Sequence, residues 1–375
     1  MIGYHAVMIR NKCIAMGTWP VRAGLGLLLL VMAVQAVSAG QTVAVFDIGS
    51  GSTRMLVAEV DACNGDLLTV RDRRSVRLSF AADLLESGAG RFSEEIKTEA
   101  SSVMAELVEL ARGHGAEILV GIATQAFRSA DNGSALLAQW QEELELVATV
   151  VTQEEEARLA FRFVASQLDD VASRLLVWDI GAGSQQLVWR EPATRSWHHV
   201  NSDLASVSFR NRAMVVLGRP AGSRTPNPID PEEVAHLVAE LAQWLDADKA
   251  AAVAAVVSGG FEVVGIGGVH GASLVNQLGL APGDDVTRSG VARALHQRLG
   301  LDDEEIGGDY ADTDVTNLIL VATLMDRFGI ERYRIMGLDL TEALLLALAG
   351  TCPCGDDGAA AVSWPEPAAV ATPGP

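Results

Sequence analysis

Positive charge is scarce in this chain. Its 375 residues hold 28 Lys+Arg against 48 Asp+Glu, a formal net charge of −20, and Lys12, Lys97 and Lys249 are its only lysines. Sequence-independent binding of DNA or RNA neutralises phosphates with Lys and Arg, so no nucleic-acid partner is expected. A small phosphate ligand in a local site stays open. Cysteine is scarce too. Cys13, Cys63, Cys352 and Cys354 are too few for a disulfide scaffold, and no second Cys/His cluster completes a metal site beside Cys352-Pro353-Cys354. His198, His199, His236 and His270 show no metal-ligand spacing. The sequence also lacks a P-loop, an H-E-x-x-H and a G-x-S-x-G motif.

Apolar residues are plentiful. At 49% of the chain they can fill two buried cores at this length and leave little room for dominant disorder.

Residues 1–39 stand apart. They carry no acid, and their charges are Arg10, Lys12 and Arg22, followed by an apolar run from Ala23 to Val34 and the ending Val37-Ser38-Ala39. A basic start, a short apolar run and a small-x-small ending compose a secretory signal peptide. The run is shorter than the ~20 residues that span a bilayer. The expectation is cleavage after Ala39, a periplasmic or secreted protein, and no stable membrane span afterwards. Losing three cations would take the net charge from −20 to −23. Residues 351–375, rich in Ala, Pro and Gly, read as a disordered tail.

Between these ends strands and helices alternate. Val43–Phe46 is an apolar run closed by Asp47, and Leu175–Trp178 is closed by Asp179; unalternated runs suit strands buried on both faces. Ile118–Ala123 reads as a further strand, with strand-like segments near 185–190, 262–266 and 332–336. Helical periodicity appears near 93–113, 133–141, 153–167, 206–217, 231–247, 288–299, 314–328 and 339–349. That alternation predicts an α/β fold.

A repeat is more informative. Phe46-Asp47-Ile48-Gly49-Ser50-Gly51-Ser52 is matched, 132 residues later, by Trp178-Asp179-Ile180-Gly181-Ala182-Gly183-Ser184. Another apolar stretch follows each copy, so each reads as a hairpin whose glycines let backbone approach a ligand closely. Two such units at this separation imply two similar domains, each lending a loop to one cleft.

Gly/Ser-rich turns expose N–H groups and hydroxyls that cradle phosphate oxygens without net positive charge. Gly49, Ser50, Gly51 and Ser52 form one candidate cradle, and Gly181, Gly183 and Ser184 the other. A carboxylate at the mouth of a buried strand is costly unless paired. Mg2+, which takes one or two carboxylates plus water and substrate phosphates, suits Asp47 and Asp179. Glu156 heads the apolar stripe Leu159, Ala160, Phe163 and Val164 at helical spacing. Its neighbours Thr152 and Glu155 have capping-box spacing, and Glu154 can pair with Arg158. A carboxylate on the buried side of a helix is a candidate general base. Arg128 and Arg54 are candidates to neutralise charge developing on phosphate. A third Gly-rich turn, Gly265-Ile266-Gly267-Gly268-Val269, is a weaker candidate.

Five ordered segments carry a resemblance: Asp47–Arg54, Ala123–Arg128, Glu154–Arg158, Asp179–Ser184 and the Gly267-Gly268 turn. In order and spacing they resemble the exopolyphosphatase / guanosine pentaphosphate phosphatase (Ppx/GppA) family from about Val43 to Ala349. The resemblance implies two RNase-H-like domains of the actin-like, sugar-kinase-like class around a central cleft, spanning 40–168 and 169–350, with the last helix able to pack back on the first. It implies magnesium-dependent removal of terminal phosphate from polyphosphate or pppGpp. Glu156 then matches the general base, Arg128 a substrate-binding arginine, Asp179 the metal-associated carboxylate, and Gly267 and Gly268 part of the phosphate cradle. The chain departs from the family pattern at Gly51, Gln186 and Val269, where Asn, Glu and Thr are usual. Losing the Glu weakens the case for metal affinity or turnover, so a non-catalytic binder of polyphosphate or nucleotide is the rival reading. The assembly state, a homodimer among the options, is open.

Overall fold

The computed structural model describes residues 40–349 apart from 62–65, 89, 169–173, 282–283 and 338–339. The expected signal segment 1–39, the expected tail 351–375 and all four cysteines lie outside the described residues.

Two mixed sheets share one plan. The first is built from β1 (Gln41–Ile48), β2 (Ser52–Asp61), β3 (Asp66–Arg77), β4 (Ile118–Ala123) and β5 (Val147–Val150), in the order β3-β2-β1-β4-β5. β1, β2 and β3 run antiparallel in sequence, while β4 and β5 run parallel to β1. The second holds β6 (Leu175–Ile180), β7 (Gln185–Arg190), β8 (Trp197–Ser202), β9 (Glu262–Ile266), β10 (Asp285–Thr287) and β11 (Arg332–Ile335). Its order, β8-β7-β6-β9-β11, repeats the first sheet, and β10 is added antiparallel at the β11 edge. The sequence repeat is thus a repeat of whole sheets, each with its loop between the first two strands.

Helices fill three layers. α1 (Phe80–Ser87), α2 (Glu94–Gly113), α3 (Gln125–Ser129) and α4 (Gly133–Leu144) cover the outer face of the first sheet. α5 (Gln153–Gln167) and α13 (Leu340–Ala349) lie between the sheets. The outer side of the second sheet carries α6 (Ser206–Val216), α7 (Pro231–Trp244), α8 (Ala247–Ser258), α9 (Val275–Leu278), α10 (Arg288–Arg298), α11 (Asp303–Ile306) and α12 (Ala311–Phe328). A π-helical turn, Val269–Leu274, runs directly into α9.

Strand geometry explains why β1 has no polar face. Successive side chains alternate sides. Val43 and Val45 therefore join the layer between the sheets with Leu159, Phe163 and Leu344, while Ala44, Phe46 and Ile48 join Phe80, Phe92 and Trp140 outside. β6 does the same: Leu175 and Val177 face the middle layer, and Leu176, Trp178 and Ile180 the outer one. α13 packs against α5, β1 and β2.

Two differences from the sequence reading have local causes. The helix expected over 231–247 ends at Trp244, and α8 begins at Ala247. Asp246 forces the break: its side chain accepts from the N–H groups of Asp248 and Lys249, capping a new helix. β3 was not anticipated, because its charged stretch lacks an apolar alternation. Charge of that kind is tolerated on an edge strand, and β3 is one.

Candidate active site: two matched loops across a cleft

The loops close in the same way. Gly49 N–H donates to the Ser52 carbonyl at 3.0 Å, and Gly181 N–H to the Ser184 carbonyl at 2.9 Å. The chain entering the next helix then takes the loop carbonyls. Ser50 O accepts from Ala81 N (2.9 Å) and Gly51 O from Leu78 N (3.2 Å); Gly181 O accepts from Ser206 N (3.1 Å) and Ala182 O from Val207 N (2.8 Å). Among the described residues no backbone carbonyl takes the N–H of Ser50, Gly51, Ala182 or Gly183. Successive unclaimed amides of this kind form an anion-binding nest.

The loops also touch each other. A Cβ added at Gly183 would stand 2.7 Å from Ser50 Oγ, and one at Gly51 3.0 Å from Ala182 Cβ. Ser50 Oγ in turn accepts from Ala126 N at 3.1 Å, fastening the first loop to α3. At the third turn, Gly267 has φ +84°, and an added Cβ would fall 2.1 Å from Asp179 Oδ1. Only glycine lets the end of β9 lie against that carboxylate.

A cleft of about 200 Å³ opens beside the loops, lined by Asp47, Asp179, Glu156, Arg54, Gly267 and Gly268 among others. Asp47, Glu156 and Asp179 are each buried. Sheet register fixes their settings: Asp47 stands opposite Arg54, and Asp179 opposite Gln186 and Ile266. Arg54 Nη1 lies 4.0 Å from Asp47 Oδ2. Burial, then the charges of Glu156 and Asp47, push the Asp179 carboxyl up to about 7, with Arg54 opposing. Three carboxylates so placed favour a cation. Among the described residues no three His, Cys, Asp or Glu form a ready cage. Mg2+ needs only one or two carboxylates when water and phosphate complete its shell, and Asp47 and Asp179 fit that demand.

Glu156 is positioned by its neighbours. Thr152 Oγ1 accepts from Glu155 N (3.2 Å) while Glu155 Oε2 accepts from Thr152 N (2.7 Å), closing the capping box. Glu154 pairs with Arg158. The first turn of α5 is thus occupied by its other acids, and Glu156 is left for the cleft. Arg128 Nη1 donates to Glu156 Oε2 at 2.9 Å and to the Val151 carbonyl at 2.6 Å, and its Nε to Gln125 Oε1 at 3.2 Å. Burial raises the Glu156 pKa and Arg128 draws it down. Arg128 itself does not line the cleft but stands behind Glu156; its buried Nη2 has no hydrogen-bond partner among the described residues.

Each departure from the family pattern has a packing consequence. Gln186, 1% exposed, donates from Nε2 to Ser184 Oγ at 3.0 Å and so holds the second loop. Gly51 permits the contact with Ala182. Val269 is buried in the outer core as the first residue of the π-helical turn.

Arg77, Arg210, Tyr310, Thr313 and Asn317 line the same cleft, and sequence reasoning missed them. They come from β3, α6, α12 and the residue that precedes α12, with no shared motif, so only folding brings them together.

A family model described as the Ppx/GppA phosphatase family matches residues 56–199. Exopolyphosphatase 2 of Mycobacterium tuberculosis is 33% identical over 157 residues, 40% of this chain and 48% of that protein. That match spans about half of the relative's length. Exopolyphosphatase 1 of Mycobacterium tuberculosis is 27% identical over 322 residues, 80% of this chain and 86% of the relative. Among solved structures, an Aquifex aeolicus Ppx/GppA family member aligns with a TM-score of 0.61 at 20% identity, covering 82% of this chain and 97% of its own. An exopolyphosphatase from Cytophaga hutchinsonii aligns with a TM-score of 0.68 at 16% identity, covering 83% and 98%. Both share the actin-like two-domain fold seen here as a repeated sheet. The fold, the ordered loops and the relatives agree in one likeness: residues 56–199 match the Ppx/GppA phosphatase family, and the described chain shares the fold of its solved members.

Proposed function

We propose that this protein hydrolyses terminal phosphoanhydride bonds of polyphosphate in the cleft between its two loops. The observation that carries the reading is the buried Glu156 carboxylate, braced by Arg128, opening on the same cleft as both glycine loops. In-line phosphoryl transfer needs positioning and charge neutralisation more than covalent help. The unclaimed loop amides hold the oxygens of the terminal phosphoryl group, and Arg54 supplies positive charge beside Asp47. Glu156 accepts the proton of the attacking water as the water oxygen bonds to phosphorus. The anhydride P–O bond breaks, releasing orthophosphate and a chain shorter by one phosphate. Burial raises the Glu156 pKa and Arg128 opposes the rise, favouring the carboxylate form that a base needs. Bound Mg2+, held by Asp47 and Asp179, would neutralise charge on the bridging and terminal oxygens.

The relatives bear the name exopolyphosphatase, which supports polyphosphate as substrate. The acid-free N-terminal segment supports export, where long-chain polyphosphate is a more accessible substrate than pppGpp. A non-catalytic binder is the second reading, favoured by Gln186 standing where the family pattern has an acid. Phosphate release from polyphosphate and from pppGpp with Mg2+ separates these readings. Release from polyphosphate is expected; tight binding of polyphosphate with release from neither substrate supports the binder.

A further inference from the structure

Arg77, on an edge strand of the first sheet, and Arg210, on a helix covering the second, meet on one carboxylate. Arg77 ends β3; its Nη2 lies 3.7 Å from Asp312 Oδ2, and its Nη1 donates to the Asp309 carbonyl at 2.8 Å. Arg210, on α6, pairs through Nη1 with the same Asp312 oxygen, while its Nε and Nη2 donate to Asn211 Oδ1 at 3.0 and 2.8 Å. The Arg77 guanidinium also stacks over the Tyr310 ring, 5.5 Å from its centroid. Both arginines and Tyr310 line the cleft that holds Glu156 and the two loops.

Two guanidiniums share one carboxylate oxygen, so Asp312 alone does not balance their charge. Their forked donors suit the non-bridging oxygens of a phosphate as well as they suit a carboxylate. Arg210 is 8% exposed and held on two sides, so it is preorganised. The Arg77 side chain, 48% exposed, is free to exchange Asp312 for a ligand. A terminal phosphate seated on the loops leaves the rest of a linear chain in this cleft, carrying charge at every phosphate.

We propose that Arg77 and Arg210 form a second anion subsite of the cleft, which takes internal phosphates of a linear polyphosphate while Asp312 occupies it in the ligand-free protein. The subsite rests on the phosphohydrolase reading for its substrate, but binding tests it without turnover. The measurement is equilibrium binding of a long polyphosphate chain and of orthophosphate to the full-length protein with Mg2+, comparing wild type, Arg77→Gln and Asp312→Asn. Arg77→Gln is expected to weaken long-chain binding about tenfold, the order of one lost charge-assisted hydrogen bond, and to alter orthophosphate binding less than about twofold. Asp312→Asn, which removes the competing charge, is expected to tighten long-chain binding. Unchanged long-chain affinity in Arg77→Gln, equal losses for both ligands, or weaker long-chain binding by Asp312→Asn each overturns the subsite. Arginine-dependent chain binding without phosphate release sinks the catalytic reading and leaves the subsite standing. Phosphate release with affinity indifferent to Arg77 does the reverse, and a wild type that binds no polyphosphate ends both.

Discussion

Arg128 Nη1 donates to Glu156 Oε2 at 2.9 Å, across 28 residues of sequence. The same nitrogen holds the Val151 carbonyl, so the arginine joins the end of the first sheet to the first turn of α5. Burial pushes the Glu156 carboxyl above its ordinary range, and its guanidinium partner opposes that shift.

Removing the partner therefore moves the base. Arg128→Ala is expected to raise the Glu156 pKa further and shift the acid limb of the kcat/KM profile to higher pH. At neutral pH the loss is of order 10–100-fold. An Arg128→Ala profile parallel to wild type, merely lower, would mean that Arg128 does not tune the base.

Much of this pair was legible beforehand, and the reasons are local. The capping-box spacing of Thr152 and Glu155 and the stripe from Leu159 to Val164 place Glu156 on the buried side of a helix, and the structure puts it there. Strands β4, β7 and β9 follow from unbroken apolar runs. Arg128 was legible as a residue at a strand-to-helix junction, but its orientation behind Glu156 depends on the Val151 carbonyl across the sheet. Arg77 and Arg210 gave no signal, because their partner Asp312 lies more than one hundred residues from either. β3, β5 and β8 were hidden for a related reason: their stability comes from strand pairing rather than from their own apolar pattern.

Gly267→Ala tests how tightly Asp179 is held. The new methyl would meet Asp179 Oδ1 at a left-handed backbone position, so a loss of about 2 kcal/mol or more is expected in denaturant unfolding. Unfolding at the wild-type midpoint would show that β9 and Asp179 have room to separate.

Stability without Mg2+ should depend on Asp179. Its pKa is raised in the folded state, from 3.8 to about 7, so folding favours the protonated form. The stabilising contribution is full below about pH 4 and is lost as pH rises through about 7, amounting to a few kcal/mol. Asp179→Asn should flatten the unfolding free energy across that window, and Mg2+ should restore wild-type stability at its upper end. A wild-type curve with the same slope as Asp179→Asn, or no response to Mg2+, contradicts the proposed seat of the cation.

Gln186→Glu adds a carboxylate directly opposite Asp179 in the sheet while breaking the donation to Ser184. The expected result is lower stability without metal, tighter Mg2+ binding and faster phosphate release. Titration of Mg2+ against activity in both proteins measures it; equal half-saturation would separate residue 186 from the cation.

The central claim is that Glu156 takes a proton from water attacking a phosphate held by the two loops. It is tested most directly by single-turnover phosphate release from polyphosphate, with Mg2+, in wild type and Glu156→Gln at equal substrate occupancy. The account predicts release by wild type and a fall of roughly 10²–10⁴-fold in the variant, with polyphosphate still bound. Equal release by the two proteins would contradict it.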